Sequence, residues 1–149
     1  MRVRQKVIES CLQRVDNRTR QITDELKLVQ ASANQETKSS AGDKYETGRA
    51  MAQLEIERLT SQLAEAEVLR SKLVGLKDVG STDKIVPGVL ITTTQGKYFI
   101  SVSLGLIEVE NEKYFCLSAD APIAKALMGK GAGEEVSFQG KTFSILSID

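Results

Sequence analysis

Ile8, Leu12, Val15, Thr19, Ile22, Leu26, Val29 and Ala33 succeed one another in alternating steps of four and three. That spacing keeps one stripe of an α-helix turned toward a partner helix, because the average step of 3.5 residues nearly matches the helical repeat. The positions between are filled by Arg, Lys, Glu, Asp and Gln, so the rest of the helix surface faces water. A second stripe follows in Ala52, Ile56, Leu59, Leu63, Ala66 and Leu73, with Arg70 in the position between the last two and Leu69 beside it as cover. Between the stripes lies NQETKSSAGDKYETG, rich in Ser, Thr and Gly. Two helices joined by so short a polar segment fold back as an antiparallel hairpin. At about 1.5 Å per residue, arms of about 30 residues give a hairpin of roughly 45 Å. A solitary pair of helices buries little apolar surface for its length, so reach is the best reason to keep it.

The helical period stops in Lys77 to Pro87, KDVGSTDKIVP, a linker by its Gly, Ser, Thr, Asp and Pro. Beyond it, VPGVLITTT, KYFISVS, LIEVE, KYFCLS, EEVSF and KTFSILSI are short, β-branched or aromatic, with turn residues at Gln95-Gly96 and Gln139-Gly140. These predict a small, mostly antiparallel sheet. One helix interrupts the strands over Ala121 to Met128, opened by Asp120 and Pro122 and closed by Gly129 and Gly131. The fold class is therefore α+β. A coiled-coil hairpin occupies residues 1–79, with its tip near 34–46, and a β domain with one short helix occupies 80–149.

Composition narrows the function. The 149 residues carry 20 basic and 20 acidic side chains, and neither half has the concentrated basic face of a chain that binds nucleic acid by itself. No apolar run is long enough for a membrane span, and the N-terminus does not read as a signal peptide, so a cytoplasmic protein without membrane contact is expected. Histidine is absent, which removes the usual general base near neutral pH and every His-dependent triad. Independent catalysis is not expected. Cys11 and Cys116 lack C-x-x-C spacing and read as buried small hydrophobes. Gly129, Gly131 and Gly133 lack the G-K-[ST] of a phosphate loop and read as a helix end followed by a turn. Glu108, Glu110 and Glu112 alternate and read as one solvated strand edge.

The tip carries the chemistry-bearing residues. Asp43 and Glu46 are three apart, so a helix beginning near Ser40 places both carboxylates on one face of its first turn, as oxygen ligands suited to Mg²⁺. Ser40-x-x-Asp43 and Asp43-x-x-Glu46 equally match capping boxes that satisfy the helix N-terminus. Both readings stand. Lys44 and Arg49 can contact phosphate or simply face solvent, and Tyr45 can stack on a base or pack across the tip.

With these elements in place, the chain resembles the bacterial Gre transcript cleavage factors over nearly its whole length. The firmest match is SADAPIAKALMGKGAGEEVSFQGKTFSILSID. Ala121, Pro122, Ile123, Ala126, Leu127, Gly129, Lys130, Gly133, Glu134, Val136, Phe143 and Ile148 fall on the family's pattern. At the tip, Gly42-Asp43-Lys44-Tyr45-Glu46-Thr47 aligns with the family's Gly-Asp-Leu-Ser-Glu-Asn in its glycine and both acids, while Lys44, Tyr45 and Thr47 depart from it. The resemblance implies an FKBP-like fold from about residue 85, acting as a docking module on RNA polymerase. It implies that the hairpin enters the secondary channel, where Asp43 and Glu46 help hold a Mg²⁺ shared with the polymerase, so that backtracked RNA is cleaved and stalled elongation complexes are rescued. Lys44, Tyr45 and Arg49 would then lie among the tip contacts. In that reading the chain is a monomeric cofactor protein, not an enzyme. It holds no metal when free and meets the RNA 3′ end and DNA only through the polymerase. Relatives with altered tips occupy the same channel and inhibit. An FKBP-like chaperone or prolyl isomerase with a coiled coil, which calls for an aromatic-lined pocket, and a scaffold whose stripe pairs with a second copy are the remaining alternatives.

Overall fold

The computed structural model describes residues 2–38 and 42–149, with side chains outside 35–38 and 42–46. Helix α1 spans Val3–Lys38 and α2 spans Gly42–Gly75, forming the hairpin. The strands are β1 (Leu90–Thr93), β2 (Lys97–Ser101), β3 (Gly105–Val109), β4 (Glu112–Ser118), β5 (Glu135–Phe138) and β6 (Lys141–Ile148), with α3 (Pro122–Leu127) between β4 and β5. All six expected strands and the expected short helix are present, in an α+β fold. Helix α1 runs to Lys38 and α2 begins at Gly42, so both helices extend into the polar segment that begins at Asn34.

Contacts divide the chain into two compact units, Met1–Gln13 with Ser71–Asp149, and Arg14–Arg70. The divisions fall inside the helices. In the second unit the stripe is buried where the spacing placed it: Val15, Ile22, Leu59 and Ala66 are each at most 4% exposed. Burial thins toward the tip, where Leu26, Val29, Ala33, Ala52 and Ile56 are half-buried. Arg70, which breaks the apolar stripe, turns its Nε to Asp16 Oδ1 at 2.9 Å, and Leu69 is half-buried beside it.

The first unit is built on one sheet in the order β3-β4-β2-β1-β6-β5, antiparallel throughout except for the parallel pair of β2 and β4. Two tight turns fix the hairpin registers. Glu110 and Asn111 (φ 53° and 66°) join β3 to β4, and Gln139 and Gly140 (φ 50° and 76°) join β5 to β6. Positive φ at both central residues matches the right-handed twist of the strands. Between β1 and β2, Thr93 Oγ1 accepts from the amides of Gln95 and Gly96 at 3.1 and 3.0 Å. Glu110 thus sits in a turn, and Glu108 and Glu112 belong to different strands. The three do not form the single acidic edge that their alternation suggested, because the chain reverses between them.

One core gathers Ile85, Val89, Ile91, Tyr98, Ile100, Ala124, Leu127, Val136, Phe143 and Ile145. Pro122 opens α3, where its missing N–H costs nothing. Gly129 at φ 80° ends it, as a helix end requires. The stretch before β1 is pinned as well. The Ile85 amide donates to Lys130 O at 2.8 Å, Gly129 N returns a bond to Ile85 O at 2.9 Å, and Ile85 is fully buried. The start of α1 is tied into the same unit. Val7, Ile8, Cys11 and Leu12 are all buried, a wider face than one helical partner needs. Arg4 supplies a clamp: its Nε donates to Gly88 O at 2.6 Å, its Nη1 to Lys77 O at 3.1 Å and its Nη2 to Leu76 O. Burial pulls the Arg4 pKa below its ordinary value, and Asp78 pulls it back upward.

Candidate functional site

A helix hairpin ends in opposite partial charges. The last carbonyls of α1 carry partial negative charge and the first amides of α2 carry partial positive charge. Asp43 and Glu46 lie in the first turns of α2. Three residues apart on a continuous helix, they share one face. Helix α2 begins at Gly42, two residues later than the expected start near Ser40. Ser40 lies outside the described residues, as do the side chains of Lys38, Asp43, Lys44, Tyr45 and Glu46. The choice between capping and cation binding turns on those side chains. Arg49 is exposed on α2, three residues beyond Glu46 and so on the same face.

The stripe below supports this end of the hairpin. Leu59 and Ile22 are nearly fully buried, and a buried leucine or isoleucine contributes roughly 1.5–3 kcal/mol through surface removed from water. Ion pairs on the outer surface add little. Arg58 pairs with Glu55 three residues earlier on α2, and the hydrogen bond from Arg58 holds the Glu55 carboxyl below its ordinary pKa. The spacing did not foresee the large apolar side chains left on the outside of the helices, Leu28, Met51, Leu54 and Val68 at 54–70% exposure.

In the first unit the predicted glycine turn is a backbone device. Gly131 bridges to Lys84 and its amide meets Glu134 Oε2, while a Cβ there would stand 3.1 Å from Asp83 O. The aromatic residues divide. Phe99, Tyr114 and Phe143 are buried, whereas Phe115 is 48% exposed beside Leu106. Phe115 stacks on Tyr98 with ring centroids 6.2 Å apart, and burial pushes the Tyr98 phenol above its ordinary pKa. A cavity of about 580 Å³ lies by Arg2, Arg4, Lys77, Asp78 and Asp149. Its lining mixes these charged groups with Val3, Val79 and Ile148 and contains no aromatic ring. Among the described residues no group of three or more His, Cys, Asp or Glu stands ready to hold a metal, and no helix is long and apolar enough to cross a membrane. Two contacts escaped sequence reasoning altogether: the three carbonyls gathered by Arg4, and the meeting of Cys11 with Cys116, whose sulfurs lie 3.4 Å apart.

The chain matches no protein-family model and no curated protein. Among solved structures it is similar to that of the transcription factor Gfh1, at 16% identity and a TM-score of 0.38, with 93% of each chain covered. A likeness at that level carries no argument about activity.

Proposed function

We propose that the chain is a Gre-type factor that binds RNA polymerase, inserts its helical hairpin into the secondary channel and stimulates cleavage of backtracked RNA. The observation that carries this reading is the hairpin itself. One helix of 36 residues ends at Lys38 and one of 34 residues begins at Gly42, with Asp43 and Glu46 at the start of the second. At about 1.5 Å per residue each helix is roughly 50 Å long, enough to carry two carboxylates into a channel that a sheet domain cannot enter. The sheet domain, whose residues from Ser118 to Asp149 carry the Gre-like pattern, serves as the dock.

The donor chemistry fits a hard cation. Asp43 and Glu46 offer oxygen ligands, and Mg²⁺ commonly takes one or two carboxylates from a protein and completes its shell elsewhere. In the complex these two residues would share the ion with ligands of the polymerase. An ion held there by Asp43 and Glu46 would supply Lewis-acid activation of water and charge neutralisation at the scissile phosphate. Lys44, Tyr45 and Arg49 would face the RNA 3′ end and neighbouring phosphates. The chain would turn over nothing alone, acting as a cofactor for the polymerase's own nuclease.

Backtracked elongation complexes with end-labelled RNA test this. Wild-type protein is expected to shorten the transcript, and Asp43→Ala with Glu46→Ala to abolish shortening while still binding polymerase. Equal cleavage by the double variant would remove the site assignment. One observation favours a second reading. Lys44 and Tyr45 place a cation and a ring where the Gre pattern has Leu-Ser, which suits a channel-occupying inhibitor. In the same assay an inhibitor slows cleavage and elongation as its concentration rises.

A further inference from the structure

The chain has two cysteines, and folding brings them together across 105 residues of sequence. Cys11 lies on the buried face of α1 and Cys116 in the middle of β4, with side chains 0% and 1% exposed and sulfurs 3.4 Å apart. Both belong to the compact unit that contains the start of α1 and the sheet. Neighbouring bonds hold the two segments in register. Arg4, two turns before Cys11, is fixed to Gly88 O, and Lys6 pairs with Glu110 in the turn that leads into β4. The thiols therefore meet within an anchored interface.

We propose that Cys11 and Cys116 form a reversible intramolecular disulfide on oxidation by a hydroperoxide, converting the packing of α1 on β4 into a covalent join. The sulfur separation must fall from 3.4 Å to about 2.05 Å. The chemistry balances with hydrogen peroxide as oxidant. One thiolate attacks a peroxide oxygen, the O–O bond breaks, and a sulfenic acid and one water form once protons are counted. The second sulfur then displaces the hydroxyl, giving the S–S bond and a second water. The two thiols lose two electrons and two protons, and the peroxide is reduced. Burial makes the pair slow to react, because thiols in apolar surroundings are inert until the structure opens. The same burial shields the bond once it is made. This proposal stands on the thiol pair alone and holds whether or not the chain acts on RNA polymerase.

The test uses the full chain in its native state, titrated with hydrogen peroxide, then denatured and alkylated. The expected product is a monomer that takes up no alkyl group and is lighter by two hydrogens, with one cross-linked peptide joining Cys11 to Cys116. Its Tm should rise by roughly 5–15 °C, since a bond closing so long a loop restricts the unfolded chain strongly, and dithiothreitol should reverse both changes. The Cys116→Ala variant should show neither. If that variant does not fold, the peptide map of the wild-type protein decides. Two alkyl groups at every dose, a sulfinic acid on one thiol, or a disulfide-linked dimer would each overturn the proposal.

Discussion

Replacing Arg4 by alanine removes a guanidinium that donates to three backbone carbonyls, two at the end of α2 and one at Gly88. The bond to Lys77 O is exposed, so water takes its place at little cost. The bonds to Leu76 O and Gly88 O are part-buried. A charge-assisted hydrogen bond contributes about 1.5–3 kcal/mol when well shielded, and partial exposure reduces each of these to about 1 kcal/mol. Loss of a cation from the C-terminal end of α2 adds about 0.5 kcal/mol. The total is about 2–3 kcal/mol, or a fall in Tm of roughly 5–10 °C for a chain of this size. Arg4→Lys keeps the charge but loses the planar fork, and one ammonium cannot span carbonyls on two segments, so it should recover less than half of the loss. Arg2→Ala, which removes a nearby exposed charge, should stay within about 0.5 kcal/mol of wild type. Thermal and urea unfolding followed by circular dichroism measure all three. Arg4→Ala indistinguishable from wild type, or Arg4→Lys fully equivalent to it, would refute the clamp.

Leu59→Ala empties a fully buried position in the helix stripe and should cost about 3–5 kcal/mol in urea unfolding, whereas Leu54→Ala, 66% exposed, should cost little. Gly88→Ala should destabilise by about 2–3 kcal/mol, because φ is +97° and the added Cβ would stand 2.8 Å from Val79 Cγ2; a stable variant would mean that the turn relaxes freely. Asn111→Gly should be neutral or stabilising and Asn111→Val destabilising by about 1–2 kcal/mol, since φ is 66° there. Burial raises the Tyr98 pKa, so its contribution to stability is fully present below the ordinary phenol pKa and is lost as pH rises through the folded value. Ultraviolet titration should show a late-ionising phenol that Tyr98→Phe removes.

The helix stripes were legible because a packing partner imposes a period, and Ile8, Val15, Ile22, Leu59, Ala66 and Leu73 are buried at intervals of seven. The strands and α3 were legible through turn chemistry, as at Gln139-Gly140 and Pro122. What escaped reading depends on partners distant in sequence. Nothing near Arg4 announces carbonyls at 76, 77 and 88, and nothing near Cys11 announces Cys116. The Glu108, Glu110 and Glu112 pattern misled because a two-residue turn of Glu and Asn lacks the glycine that usually marks one. Phe115 lies in a strand pattern like the buried Tyr114, yet it is 48% exposed because β4 has one face open at that point. For the tip, the sequence supplied Asp43 and Glu46 and the backbone supplied their place on α2, while their capping and cation-binding roles share one geometry and one charge.

The sheet joins neighbours of very different separation along the chain. β1–β2, β3–β4 and β5–β6 close through turns of two or three residues, whereas β2 meets β4 only after β3 is laid alongside, and β1 waits for β6, with Ile91 opposite Ile148. Folding rates fall as such distant pairings accumulate. The three local ribbons should therefore form first, and the β1–β6 seam, irregular between Thr92 and Thr93, should close last. Until it does, Leu90 and Ile91 sit on an open apolar border. That interval, more than any property of the finished protein, is when the chain is most prone to aggregate, and slow production at low temperature should shelter it.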